Sequence, residues 1–230
     1  IANTGNANTL PLVVGHGKLT FQSPPPPPRI KAAAPTGDLP VLTPAVSHEV
    51  DYTLENTQDG KLTIGVHGDT WQVTSQFSTP APAWTNRSNT YFTFKRTTEK
   101  LPEAILVKDT FTNLTKENLP VMLRYQAGQT GGKLPEVAQI YLAGLPVPPD
   151  ISIASQASPA HPSALGASQA SGLALLALDD VFRVHIGSFA DLTEKTFGLM
   201  DKQLVIRPGE SHTVEWAIFP VGGADPYYAF

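Results

Sequence analysis

The side chains best suited to recognition chemistry in this chain are aromatic: Trp71, Trp84, Tyr91, Tyr125, Tyr141, Trp216, Tyr227 and Tyr228. An aromatic ring buries the apolar C–H face of a pyranose, so each is a candidate for stacking on a sugar. Strand parity removes two of them. Trp216 lies between Val214 and Ile218, and Trp71 alternates with Val73, so both read as core. Trp84 stands in "STPAPAWTNRSN", among residues that favour exposure. It leads a candidate carbohydrate-binding set of Trp84, Asn86 and Tyr91; packing over a sheet end is the competing structural use of its ring.

Acid–base and metal chemistry find less support in the spacing. The histidines are His16, His48, His67, His161, His185 and His212. They form no H-x-H or H-E-x-x-H set that would bring two ligands to one face. His16 and His67 sit in Gly-flanked turns, while His185 and His212 read as strand residues. Two carboxylates roughly 5 to 9 Å apart would suit glycoside hydrolysis. Asp179 and Asp180, however, are neighbours in an extended-looking run and face opposite ways. Asp180 and Arg183 read instead as a turn with a surface ion pair, and Glu210 and Glu215 merely flank the strand at 212–219. No G-x-S-x-G elbow occurs. "GQTGGK" at 128–133 lacks both the phosphate-loop spacing and a following helix. The sequence therefore assigns no catalytic residue, no metal ligand and no cofactor, and the segment by itself reads as non-catalytic.

The elements that must hold these candidates read as strands. "HEVDYTLEN", "KLTIGVHG", "TWQVTSQFS", "TYFTFKRT", "EAILVKDTFTN", "LPVMLRYQA" and "VAQIYLAG" are short runs rich in Val, Ile, Thr and aromatics. Period-two alternation with turn signals every ~8 to 12 residues predicts an all-β chain, a large antiparallel β-sandwich of the supersandwich type with long loops. In "TYFTFKRT", Phe92, Phe94 and Arg96 share one face and Tyr91, Thr93 and Lys95 the other. "DTFTNLTKENLPVML" reads as a hairpin, and "LVIRPGESHTVEWAI" as two strands joined by a type II turn on Pro208-Gly209. Residues 144–172 are small and aperiodic and read as one long loop. Only short stretches at 159–170 and 189–195 offer any helix. Residues 1–47 are expected to form an extended arm, with a first hairpin in "LPLVVGHGKLTFQ" and a polyproline run from Pro24 to Pro28 that cannot donate to a ladder. Residues 48–230 form the sandwich.

Bulk properties narrow the partners. A net charge of -4 over 230 residues makes no electrostatic case for nucleic acid or an anionic membrane surface. No apolar run approaches the ~18 residues of a membrane span. The absence of cysteine excludes disulfides, thiolate metal sites and cysteine nucleophiles. Charged residues make up only 16% of the chain, and Thr, Ser, Ala, Gly and Pro are abundant. That composition suits an exported, extracellular or cell-surface β protein, and the lack of cysteine suits a bacterial one. Ile1 is not an initiator, which leaves room for a removed leader. Two N-x-[ST] sequons fall at Asn86 and Asn113.

"GLALLALDDVFRVH", "LVIRPGESHTVEWAIFPV" and the closing "DPYYAF" resemble a β-sandwich module of large exported bacterial proteins of the glycoside-hydrolase kind. In those proteins such a sandwich precedes a (β/α)8 catalytic barrel. "VKDTFTNLTKENLPVMLRY" is similar to paired strands of these modules in which the chain changes sheet after a "TNLT"-type turn. The resemblance covers the last two thirds of the chain and carries over no catalytic residue. It implies a supporting module with glycan contact, whose partners are a polysaccharide or a neighbouring domain or subunit. Tyr227, Tyr228 and Phe230 are the interface candidates, since exposed aromatic clusters mark interfaces; folding back onto their own sandwich is the alternative. Two other readings stay open. One is a structural subunit of a filament or surface layer, a homo-oligomer joined through the arm and the aromatic C-terminus. The other is a mutarotase-like sugar enzyme, which would need a convergent His and carboxylate.

Overall fold

The computed structural model describes residues 12–15, 18–21, 50–57, 60–81, 83–129, 139–168, 171–222 and 230. The chain divides into two compact units, Ile1–Ala45 and Val46–Phe230. In the first, β1 (Leu12–Gly15) and β2 (Lys18–Phe21) pair antiparallel with Val14 opposite Leu19, the hairpin the sequence predicts. The polyproline run, the remainder of the arm, Tyr227 and Tyr228 lie outside the described residues.

The second unit is an antiparallel β-sandwich. Its strands are β3 (Tyr52–Asn56), β4 (Leu62–Val66), β5 (Asp69–Ser78), β6 (Trp84–Thr85), β7 (Phe92–Lys100), β8 (Ile105–Asn113), β9 (Leu119–Pro120) and β10 (Leu123–Gln129). There follow β11 (Gln139–Leu142), β12 (Leu145–Pro146), β13 (Ile153–Gln156), β14 (Ser163–Ala167) and β15 (Ser171–Ala177). Among the described residues a single short helix, α1 (Asp180–His185), precedes β16 (Ile186–Asp191), β17 (Thr196–Asp201), β18 (Val205–Ile206) and β19 (Ser211–Gly222). One sheet runs β13-β16-β17-β10-β5-β4-β3, with β6 beside β5. The other runs β12-β11-β14-β15-β19-β8-β7, and β9 and β18 form a small separate ladder. Among the described residues no helix is long and apolar enough to cross a membrane.

Alternation builds the core. On β5, Trp71, Val73 and Phe77 are fully buried while the residues between them turn outward. β10 repeats this with Leu123, Tyr125 and Ala127, and β8 with Ile105, Val107 and Phe111. Tyr125 stacks on Trp216 of the opposite sheet at 4.4 Å between ring centroids, and Phe77 meets Phe111 edge-on at 4.8 Å. Burying each such side chain contributes about 1.5–3 kcal/mol, so these interlocked rings decide which faces turn inward. Both Trp71 and Trp216 are core, as their parity predicts.

Three local expectations need correction. Residues 144–172 are not one loop: they carry β12, β13 and β14. β14 is buried along its whole length, because Leu165 and Ala167 pack on the outer face with Ala174 and Val221, while Gly166 faces Phe197 of the other sheet. A strand covered on both sides shows no alternation, which is why it escapes a period-two search. The expected hairpin across Asn113–Asn118 does not form either. β8 pairs with β7 and β19, and β10 with β5 and β17, so the chain changes sheet here. The turn is organised by Asn113, whose amide donates to the Glu117 carbonyl at 2.7 Å and the Ile206 carbonyl at 2.9 Å. Being only 1% exposed, Asn113 cannot serve as a glycosylation acceptor in the folded chain.

The helix falls at 180–185 rather than at either stretch with helical pattern. Asp179 is its N-cap, its Oδ1 accepting from Phe182 N at 2.9 Å and its Oδ2 from Glu215 N of β19 at 2.9 Å. His185 therefore ends a helix instead of lying in a strand, and Asp180 and Arg183 form no ion pair with each other.

Candidate ligand-binding face

Because Trp71, Val73 and Phe77 point into the core, Gln72, Thr74 and Gln76 stand on the outer face of the eight-stranded sheet. Register then assembles a polar band. Gln76 lies opposite Arg124 and Thr74 opposite Gln126 on β10, and Arg124 lies opposite Met200 on β17. Beyond it, Phe189 of β16 pairs with Gly198. A Cβ at Gly198 would run into the Tyr125 carbonyl and approach the Phe189 ring to 3.0 Å. Glycine here keeps the strands close and gives the Phe189 ring room against the sheet.

The sheet has a gap on this face. Pairing of β5 with β4 stops at Val73 opposite Leu62, and pairing with β6 starts at Phe77 opposite Thr85. Among the described residues, Thr74, Ser75 and Gln76 have no strand partner on that side. The gap opens as a pocket of about 260 Å³, walled by Gly60, Lys61, Trp84, Thr85 and Asn86 as well as these three residues. It is closed from behind by Arg96, which reaches across from β7 in the other sheet. Arg96 donates to Ser75 Oγ at 2.7 Å, to the Gly60 carbonyl at 3.2 Å and to both carboxylate oxygens of Asp109 at 2.7 Å. Asp109 is fully buried and also accepts from Trp216 Nε1 at 3.2 Å. Burial opposes the Arg96 charge, but hydrogen bonds to Asp109 and its charge more than offset that, so the guanidinium pKa lies above its ordinary value.

Trp84 is 49% exposed. Its loop is held by Thr79 N donating to the Ala83 carbonyl at 3.0 Å and, further on, by Phe94 N donating to Ser88 Oγ at 2.8 Å. The same indole walls a second pocket of about 440 Å³ over β10, β13, β16 and β17, with Arg124, Phe189, Met200, Asp191 and Lys202 among its lining. Trp84 thus stands between two recesses on one face.

Of the sequence candidates, Trp84 and Asn86 come together at the gap pocket. Tyr91 is half-buried, packs against the core and lines neither recess. Phe230 is 41% exposed and meets Phe219 of β19 at 5.6 Å, so it touches its own sandwich. Thr74, Gln76, Arg124, Phe189 and Lys202 were not singled out. The signal for Thr74, Gln76 and Arg124 was the outward half of "TWQVTSQF" and "LRYQA", invisible as a site until register joins the strands; Phe189 and Lys202 carry no such signal. Among the described residues no group of three or more His, Asp or Glu could hold a metal ion. His185 Nδ1 lies 3.2 Å from Asp201 Oδ2, but neither residue lines the two Trp84 recesses.

No family model matches the chain, and no curated protein does. Solved structures with a similar course include a protein from Synechocystis sp. PCC 6803, at 8% identity over 75% of this chain and 66% of that one, TM-score 0.43. A candidate aldose 1-epimerase from Escherichia coli is 11% identical over 70% of this chain and 68% of that one, TM-score 0.40. Another from Klebsiella pneumoniae subsp. pneumoniae is 10% identical over 76% and 55%, TM-score 0.38. The chain spans between 55% and 68% of these structures. Likenesses this distant carry no inference about activity or substrate; the all-β sandwich rests on the chain's own strands.

Proposed function

We propose that the sandwich is a non-catalytic carbohydrate-contacting module of an exported bacterial protein, with its glycan on the outer face of the eight-stranded sheet. The observation that carries this reading is Trp84, a half-exposed indole set between two recesses and accompanied by Thr74, Gln76 and Asn86. An indole stacks on the C–H face of a pyranose while amides and hydroxyls meet its hydroxyl groups. Binding without bond breaking is favoured because, among the described residues, no histidine lines either recess and Asp191 is the one carboxylate in their lining. A mutarotase-like activity would need an acid and a base facing one sugar.

Retention on a panel of immobilised polysaccharides tests the proposal. Trp84→Ala removes an exposed ring and should leave the fold intact by circular dichroism. An anchor residue at the centre of a contact is worth about 2 kcal/mol, so affinity should fall roughly 30-fold. Unchanged retention of the Trp84→Ala protein would sink the reading.

A further inference from the structure

The larger recess holds Arg124, whose situation differs from that of the half-buried Arg96. Arg96 has every reason to be where it is: a carboxylate, a hydroxyl and a carbonyl accept from it. Arg124 has none of these. Its guanidinium carbon lies 4.7 Å from the Phe189 ring centroid. Its Nε is shut off from solvent and donates to no acceptor, and no ion pair engages the side chain among the described residues. A desolvated donor without an acceptor is a standing cost, and such groups call for an explanation. Neither cross-strand neighbour, Gln76 on β5 nor Met200 on β17, accepts from this Nε.

The surroundings say which acceptor would fit. Lys202 lines the same recess and is exposed. Among the described residues, Asp191 is the one carboxylate in the lining. Its Oδ1 already accepts from Thr193 N at 3.0 Å and Glu194 N at 2.9 Å, in the turn after β16. Two cations outnumber that one carboxylate, so the recess favours an anion. A guanidinium lying over an aromatic ring is already ordered, so it loses little freedom on meeting a planar two-oxygen acceptor. Trp84 closes the other wall with an exposed ring suited to a sugar.

We propose that this recess takes a carboxylate-bearing sugar, a uronic acid unit of an acidic polysaccharide, with the terminal Nη nitrogens of Arg124 forking the carboxylate, Lys202 adding positive charge and Trp84 stacking on the ring. The inference rests on the carbohydrate reading above and specifies its ligand class.

The test compares polygalacturonate with the same backbone fully methyl-esterified, and with neutral galactan, in affinity electrophoresis of the whole chain. The wild type should bind polygalacturonate about tenfold or more tightly than its ester, since charge-assisted hydrogen bonds are lost on esterification. Arg124→Met keeps an aliphatic body over Phe189 and should abolish that preference while residual binding to the ester persists. Arg124→Lys keeps the charge but not the fork and should lose most of the preference. Lys202→Gln, at an exposed position that folding does not depend on, should lower polygalacturonate affinity severalfold and leave the ester unchanged. Equal binding of acid and ester by the wild type overturns the uronate assignment and leaves the carbohydrate reading standing. So does full preference in Arg124→Met or in Arg124→Lys. Absence of binding to every polysaccharide overturns both.

Discussion

Replacing Asp109 by Asn should unfold this sandwich more readily than any conservative surface change. Asp109 is 0% exposed and accepts both Arg96 nitrogens at 2.7 Å and Trp216 Nε1 at 3.2 Å. The Arg96 side chain is itself only 12% exposed. Asparagine fills the same space but removes the counter-charge and turns an NH2 group toward a donor. Breaking one member of a buried pair costs about 3–5 kcal/mol. Two charge-assisted bonds at about 1.5–3 kcal/mol each lead to a similar figure. For a domain of this size, 1 kcal/mol moves Tm by about 2–4 °C, so the drop should be roughly 6–20 °C. Urea unfolding followed by tryptophan fluorescence reads the effect directly, because Trp216 contacts the altered group. Removing both charges, Arg96→Met with Asp109→Leu, should recover part of the loss, since no buried charge is left behind although Trp216 Nε1 loses its acceptor. A cost below about 1 kcal/mol for Asp109→Asn, or a double variant no better than the single one, would refute the view that Asp109 holds Arg96 in place where it bridges to Ser75 of the other sheet.

Two further outcomes follow from the packing. Gly198→Ala places a Cβ against the Tyr125 carbonyl of the neighbouring strand and should cost about 3 kcal/mol; Gly187→Ala, whose Cβ would meet only the flexible Met200 at 3.4 Å, should cost under about 1 kcal/mol by the same urea assay. Burial, and after it the Asp109 charge, hold the Tyr125 hydroxyl well above its ordinary pKa of 10.0. Below about pH 10 the folded and unfolded chains both keep that proton; above it the unfolded chain loses it first, so stability falls as pH rises. Tyr125→Phe should flatten that alkaline slope by about one proton, and an unchanged slope would contradict the assignment.

Much of the strand inventory was legible. "TWQVTSQFS" and "EAILVKDTFTN" became β5 and β8 with the buried parity their alternation predicts, and Pro208-Gly209 became a turn with Gly209 at φ +70°. Illegible were the elements whose environment is not two-faced. β14 is buried on both sides, and α1 is short and rests on a cap from Asp179 and a single fully buried ring, Phe182. Among site residues, Trp84 and Asn86 could be picked from an exposed-looking loop, but Arg124 could not, because nothing within "LRYQA" says that a second cation, two aromatic rings and a gap in a ladder will surround it.

Local patterning alone determined that this chain is all-β, that strands such as β5, β8 and β10 are apolar on one side and polar on the other, and that Trp71 and Trp216 go inside. That much follows because a strand's side chains alternate regardless of its neighbours. Which strands lie side by side was decided only in three dimensions. Backbone ladders are chemically alike and accept many partners, so the packing of the whole core chose to set Gln76 beside Arg124 and Thr213 beside Thr110. The candidate ligand-binding face exists only as a product of that choice.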